Sequence, residues 1–250
     1  MSKIQFYIEE LSISKDWKKY LLTNSNLPGP RGNLELMQAF VEIGSEKDFL
    51  PLLEYTPDKA PVNSSEEFLA FCGTVGLGKL ISEGKFEYFK KLRELASDPR
   101  WRNREGVAWA LQIVGKKDFN LLLKNLEPWL TGNHLEQRAV AAGLCEPILL
   151  KVKENASRVI EILDKITRLS IQDKNRKSEE FQTLRKGLGY CWSVAVAAFP
   201  GKGKPVFEKL LEYNDKDIDW IIKENLKKNR LIKMDPGWVK NLQARLNRSA

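Results

Sequence analysis

The sequence of 250 residues predicts an all-α protein built from stacked antiparallel helix pairs. Two observations carry this prediction: apolar residues recur with helical spacing along the chain, and one stretch repeats with a period of 34 residues. Hydrophobic residues make up 42%, which is enough to build a packed core and excludes a disordered chain. We expect a single domain over residues 1–250, an α-solenoid of about six helix pairs.

The clearest repeat unit lies between Asp98 and Gly115, where a turn precedes a helix with Arg in its first turn and small residues on one face. This unit resembles the second helix of a HEAT repeat, and the matching positions are Asp98, Arg104, Ala108, Ala110, Leu111 and Gly115. Asn103 stands where an apolar residue is usual in that pattern. The resemblance implies an α-solenoid in which Gly and Ala let helix backbones approach closely.

The unit recurs in both directions along the chain. A shift of 34 residues places Arg138 on Arg104 and Cys145 on Leu111, and the opposite shift places Leu77 on Leu111. Outside these units the helical period continues, and helices are predicted over residues 6–22, 33–43, 49–55, 68–81, 156–169, 180–199, 206–213, 218–231 and 237–246. The breakers at residues 27–32 predict a turn, and Gly201-Lys202-Gly203-Lys204 predicts another that could meet a phosphate.

Residues suited to catalysis are scarce. His134 is the only histidine and is predicted to be a solvated turn residue, which argues against His-based triads and metal sites. The three cysteines are odd in number and far apart, so neither a disulfide framework nor a metal knuckle is expected. Cys145 and Cys191 are predicted to be buried thiols. The sequence therefore favours a non-enzymatic protein and predicts no cofactor and no metal.

Candidate binding residues follow from charge, since the net charge is +8 and the pI is near 9.2. Arg100, Trp101 and Arg102 alternate cations with an aromatic ring, a pattern that can combine phosphate contact with stacking. Arg104 is instead expected to tie neighbouring turns together through Asp98. A second basic run near the C-terminus comprises Lys223, Lys227, Lys228, Arg230 and Lys233.

Five of the seven tryptophans fall into two groups by their position in the sequence. Trp109, Trp129 and Trp192 lie in helical patterns and are predicted to be core residues. Trp101 and Trp238 lie in or near turns and are the better candidates for exposed contacts.

Two functions remain open. The first is a non-enzymatic scaffold that binds a protein partner along the solenoid. The second is a DNA-binding protein, because the fold is similar to that of the bacterial HEAT-like alkylpurine DNA glycosylases. Those proteins are short basic solenoids that bind DNA in a groove lined by Trp, Arg and a carboxylate. No catalytic residue of theirs is matched here.

The chain, including residues 27–33 and 188–193, also resembles bacterial HEAT-repeat proteins without an assigned activity. No apolar run approaches the roughly 18 residues of a membrane span, and acids interrupt residues 1–10 where a signal peptide would be apolar. We therefore expect a cytoplasmic protein that does not enter a membrane.

Overall fold

The structure is a computed structural model that describes residues 1–249, with side chains described for residues 1–246. These residues form fifteen α-helices and four short 3-10 helices without a strand, which confirms the all-α prediction. The chain divides into two compact units, Met1–Asp118 and Phe119–Ala250. The single domain expected over residues 1–250 stays a prediction.

The first unit contains seven α-helices and one 3-10 helix, Leu50–Glu54. The α-helices are α1 (Lys3–Ile13), α2 (Trp17–Thr23), α3 (Leu34–Ile43), α4 (Glu46–Phe49), α5 (Ser65–Ser82), α6 (Tyr88–Leu95) and α7 (Trp101–Lys117). The single helix predicted over residues 6–22 is wrong, because it is interrupted between α1 and α2. Asp16 ends the interruption as an N-cap: its carboxylate accepts a hydrogen bond from the Lys19 amide at 3.0 Å.

The second unit contains eight α-helices and three 3-10 helices, Glu127–Trp129, Leu149–Lys151 and Leu210–Tyr213. The α-helices are α8 (Phe119–Leu126), α9 (His134–Leu144), α10 (Lys153–Ser170), α11 (Glu179–Ala198), α12 (Pro200–Lys209), α13 (Lys216–Leu226), α14 (Asn229–Met234) and α15 (Pro236–Ser249). The turn predicted over residues 201–204 is wrong, since these residues lie inside α12. Pro200 occupies the first turn of that helix, where its missing amide hydrogen costs nothing.

Helix α5 forms the centre of the first unit. It is apolar on nearly all sides and buried from Glu67 through Gly78, as expected for a helix surrounded by others. It packs most closely on α7, where a Cβ added at Gly78 would lie 2.5 Å from the Ala110 Cα. The two small residues therefore set the distance between these helix backbones.

Helix α11 forms the centre of the second unit. Trp192 is fully buried and donates a hydrogen bond from its indole nitrogen to the Thr167 hydroxyl at 3.0 Å. Cys145 and Cys191 are both buried free thiols, as predicted. The predicted core position of Trp192, and likewise that of Trp129 at 2% exposure, is confirmed.

Candidate binding sites

Arg100 precedes α7 and points into the first unit. The side chain is buried, and it pairs with Asp98 through two hydrogen bonds of 2.9 and 2.7 Å. A third hydrogen bond of 2.7 Å reaches the Tyr55 carbonyl. The expectation of a surface position for Arg100 is therefore wrong. The same guanidinium also donates to the Ala60 carbonyl in the 56–64 loop at 3.2 Å, because a guanidinium can satisfy several carbonyl and carboxylate oxygens at once.

Arg102 is also buried, so the surface position expected for it is wrong for the same reason. Its guanidinium forms an ion pair with the fully buried Glu67 at 3.0 Å. It also donates to the Gly29 carbonyl at 2.7 Å and to the Asn63 side-chain oxygen at 3.1 Å. Arg102 therefore fixes the Pro-Gly turn that precedes α3 against helices α5 and α7.

Arg104 contacts the turn at Asp98, but through main-chain atoms. Its guanidinium donates to the Asp98 carbonyl at 2.7 Å and to the Pro99 carbonyl at 2.9 Å. The Asp98 carboxylate instead accepts from Arg100 and Asn103. Burial raises the pKa of Asp98, but these hydrogen bonds outweigh burial and hold the pKa below its usual value. The structural role expected for Arg104 is thus shared with Asn103.

Trp101 lies between the two buried arginines and remains 46% exposed, as its position near a turn predicted. Its ring is stacked on the Arg102 guanidinium, with 4.5 Å between the guanidinium carbon and the ring centroid. Trp101 is the first residue of α7 and borders a cleft of about 300 Å³. We call this feature the aromatic cleft, and it is lined by Pro30, Arg31, Gly32, Leu34, Phe68, Phe71, Trp101, Arg102, Glu105 and Trp109.

One face of α7 and one face of α5 build the aromatic cleft. Trp101, Glu105 and Trp109 follow at intervals of four residues, so they lie along one side of α7. Phe68 and Phe71 face them from α5. The core position predicted for Trp109 is wrong, since this residue is half-buried and lines the cleft.

The sequence predicted Trp101 and Arg102 of this lining as binding residues, but not the other lining residues. The four-residue spacing of Trp101, Glu105 and Trp109 was the available signal, because it marks a single helix face. The contribution of the loop at Pro30 had no local signal, since it depends on the distant hydrogen bond between Arg102 and Gly29.

The C-terminal basic residues lie in the second unit, and most of them line one depression. Lys223 lies exposed on α13, while a shallow depression of about 480 Å³ is lined by Lys227, Lys228, Asn229, Arg230 and Lys233. Tyr190 of α11 was not predicted to belong here, but it is 47% exposed and contacts Arg230 and Lys228. We call Tyr190 and the residues lining the depression the Tyr190 patch.

Two further residues differ from expectation. His134 is the first residue of α9 rather than a solvated turn residue, and its imidazole lies 3.1 Å from the Asp173 carboxylate. Its ring also packs edge-on against Phe181, which explains why it is largely shielded. Trp238 is half-buried, and its indole nitrogen donates to the Glu208 carboxylate at 2.7 Å.

Comparisons of this chain with models of known protein families, with curated proteins and with solved structures find no match. In the part of the chain that the structure describes, no helix combines the length and apolar character that crossing a membrane requires.

Proposed function

We propose that this protein is a non-enzymatic helical-repeat scaffold that binds a protein partner through the aromatic cleft. In this proposal the helix pairs continue as about six HEAT-like repeats, and the cleft is the site at which the partner inserts a side chain. The observation that carries the proposal is a half-exposed tryptophan at the edge of a preformed aromatic cleft.

The cleft has the composition of an interaction hot spot. Aromatic residues dominate the energetics of protein interfaces when they lie in well-packed surroundings, and Trp is among the most enriched. The walls are held before any partner arrives, because α5 and α7 are in backbone contact at Gly78 and the loop wall is fixed by Arg102. A preformed site avoids the entropic cost of ordering on binding.

The size and charge of the cleft favour one kind of occupant. A volume of about 300 Å³ lies at the lower limit of ligand pockets, which suits one large side chain rather than an extended ligand. Phe68, Phe71 and Trp109 make the interior apolar, whereas Arg31 and Glu105 supply charges of both signs. We therefore expect the partner to contribute an aromatic or long aliphatic side chain flanked by polar residues.

A displayed peptide library selected on the intact protein tests this proposal. We expect the selected peptides to share an apolar anchor and to lose about 30-fold in affinity when Trp101 is replaced by Ala, the loss typical of a hot-spot residue. Phe86→Ala is the matched control, since Phe86 is an aromatic of similar exposure, 49%, that does not line the cleft. Peptides that bind Trp101→Ala and the wild type equally would refute the proposal.

DNA binding with base excision is a second candidate function. It is favoured by the lining of the cleft, where Trp101, Trp109, Arg102 and Glu105 supply the residue types that the glycosylase resemblance implies for a DNA-binding groove. The test is release of alkylated base from treated duplex DNA, compared between the wild type and Glu105→Gln. An activity that is present and lost in this variant supports the second candidate, whereas no release by the wild type removes it.

A further inference from the structure

The Tyr190 patch holds an exposed aromatic ring in a fixed orientation among cations. The Arg230 guanidinium donates to the Tyr190 hydroxyl at 2.5 Å, and its carbon lies 4.7 Å from the ring centroid. The Lys228 ammonium lies 5.8 Å from the same centroid. Nearly half of Tyr190 remains accessible to solvent despite these contacts. The ring is thus anchored at its hydroxyl and contacted by the Arg230 guanidinium, and it is only partly covered.

The charge around this ring is strongly positive. Lys227, Lys228, Arg230 and Lys233 line the depression, and Lys223 lies about one helical turn before Lys227. Among the described side chains, Glu224 is the only acid that pairs with one of these cations, and it pairs with Lys227. The patch therefore keeps a clear excess of positive charge and suits a ligand with several negative charges.

We propose that the Tyr190 patch binds single-stranded nucleic acid, with one base stacked on Tyr190 and the adjoining phosphates held by Lys227, Lys228, Arg230 and Lys233. An aromatic platform beside a basic groove is how proteins bind single strands without sequence preference. A duplex fits less well, because its base faces are stacked on one another and cannot reach the tyrosine ring. The site lies entirely in the second unit, so this inference is independent of the function proposed for the aromatic cleft.

Anionic membranes and acidic peptides could also contact these cations, but neither would stack on the Tyr190 ring. An anionic membrane would need an apolar surface around the cations, and Ile232 is the one exposed aliphatic residue of α14. An acidic peptide has no requirement for a stacking partner. The anchored, exposed ring of Tyr190 is therefore the feature that selects a nucleobase.

Binding of the intact protein to a fluorescently labelled oligothymidylate is the first measurement, with a duplex of equal length for comparison. If four cations contact phosphates, affinity for the single strand should fall about 50-fold between about 50 and 200 mM salt. In Lys228→Gln/Arg230→Gln the same change of salt should cost only about 7-fold. The control is Lys153→Gln/Lys165→Gln, which removes two exposed charges from α10 of the same unit and should leave the salt dependence unchanged.

Substitution at Tyr190 isolates the stacking contribution. Tyr190→Leu should weaken binding of the single strand by about 5-fold to 150-fold, while Tyr190→Trp should retain it. Tyr213→Leu removes another exposed tyrosine of the same unit, at 39% exposure, and should have no effect. Circular dichroism confirms that each variant keeps its helical content.

Three results would overturn the inference. The first is absence of binding to the single strand at about 50 mM salt, where phosphate contacts are strongest. The second is binding of the duplex that equals or exceeds that of the single strand and does not change in Tyr190→Leu. The third is binding to vesicles of anionic lipid in preference to the oligonucleotide, which would reassign the patch to a membrane surface.

Discussion

Replacement of Arg102 by Met tests the buried ion pair that holds the first unit together. The substitution keeps a long apolar side chain next to Trp101 but removes the guanidinium. Glu67 then loses the ion pair at 3.0 Å, and the Gly29 carbonyl loses its 2.7 Å hydrogen bond. Because Glu67 is 0% exposed, its carboxylate remains buried without the compensating charge.

The expected magnitude follows from these contacts. Removing one partner of a buried ion pair typically lowers the free energy of unfolding by about 3–5 kcal/mol. The pair between Arg102 and Glu67 uses one carboxylate oxygen, since the other oxygen has no hydrogen-bond partner among the described residues. We therefore expect the lower part of this range, about 3–4 kcal/mol.

Guanidinium unfolding followed by tryptophan fluorescence and by circular dichroism measures this change. The midpoint should fall without a change in the slope of free energy against denaturant, which would indicate that stability alone has changed. The control is Arg31→Met, because Arg31 is 67% exposed and its ion pair with Glu35 is long, at 3.8 Å. A surface pair of this kind contributes at most about 0.5 kcal/mol.

A double variant separates two causes of destabilisation: the loss of the Arg102–Glu67 ion pair, and the burial of the Glu67 carboxylate without a partner. Adding Glu67→Gln to Arg102→Met removes the unpaired carboxylate, so the two losses should fall short of additivity by about 0.5–3 kcal/mol. If Arg102→Met costs less than about 1 kcal/mol, or if the two losses add fully, the reasoning that Arg102 stabilises this unit through Glu67 is wrong.

Three other predictions concern packing, protonation and thiol access. Gly78→Ala should cost about 1–3 kcal/mol in unfolding free energy, since its Cβ would lie 2.5 Å from the backbone of Ala110, whereas Gly201→Ala meets no atom closer than 3.7 Å and should be nearly neutral. Hydrogen bonds lower the pKa of Asp98 in the folded state, so its stabilising contribution is present above about pH 4 and is lost as the pH falls further. The difference in unfolding free energy between the wild type and Asp98→Asn should therefore shrink in acid. Unfolding at several pH values measures this difference. Cys72, Cys145 and Cys191 are all buried free thiols, and burial raises the pKa of Cys72 and Cys145. An aromatic disulfide reagent should therefore label these thiols only after denaturant is added.

The helices were predictable because their signal is local. Periodic apolar residues predict α5, α7, α10 and α11 close to their observed positions. The backbone contact between Gly78 and Ala110 was not predicted, because it joins two helices that lie apart in the sequence. Errors arose where a cap or a proline competes with that period. The N-cap at Asp16 divides the helix predicted over residues 6–22 into two. Pro200 begins helix α12, where Gly201 and Gly203 had predicted a turn.

The binding surfaces were only partly predictable because they depend on distant pairing. Nothing near Arg102 in the sequence indicates that its partners lie at Gly29, Asn63 and Glu67. A run of basic residues with an aromatic neighbour therefore had two consistent interpretations, a surface cluster or a set of buried anchors. Tyr190 likewise lies 40 residues from Arg230 in the chain, and no periodicity connects them.

The segment from Arg100 to Arg102 performs a structural and a binding role at once. Each arginine donates to the backbone of an irregular loop, whose carbonyl oxygens need hydrogen-bond donors, and the two side chains are turned inward for that purpose. Trp101 lies between them and is the one residue of the three that remains exposed. Replacing Trp101 leaves both anchors bonded, whereas replacing Arg102 also removes the support beneath the Trp101 ring. Loss of binding and loss of stability should therefore be separate effects in Trp101→Ala and should occur together in Arg102→Met.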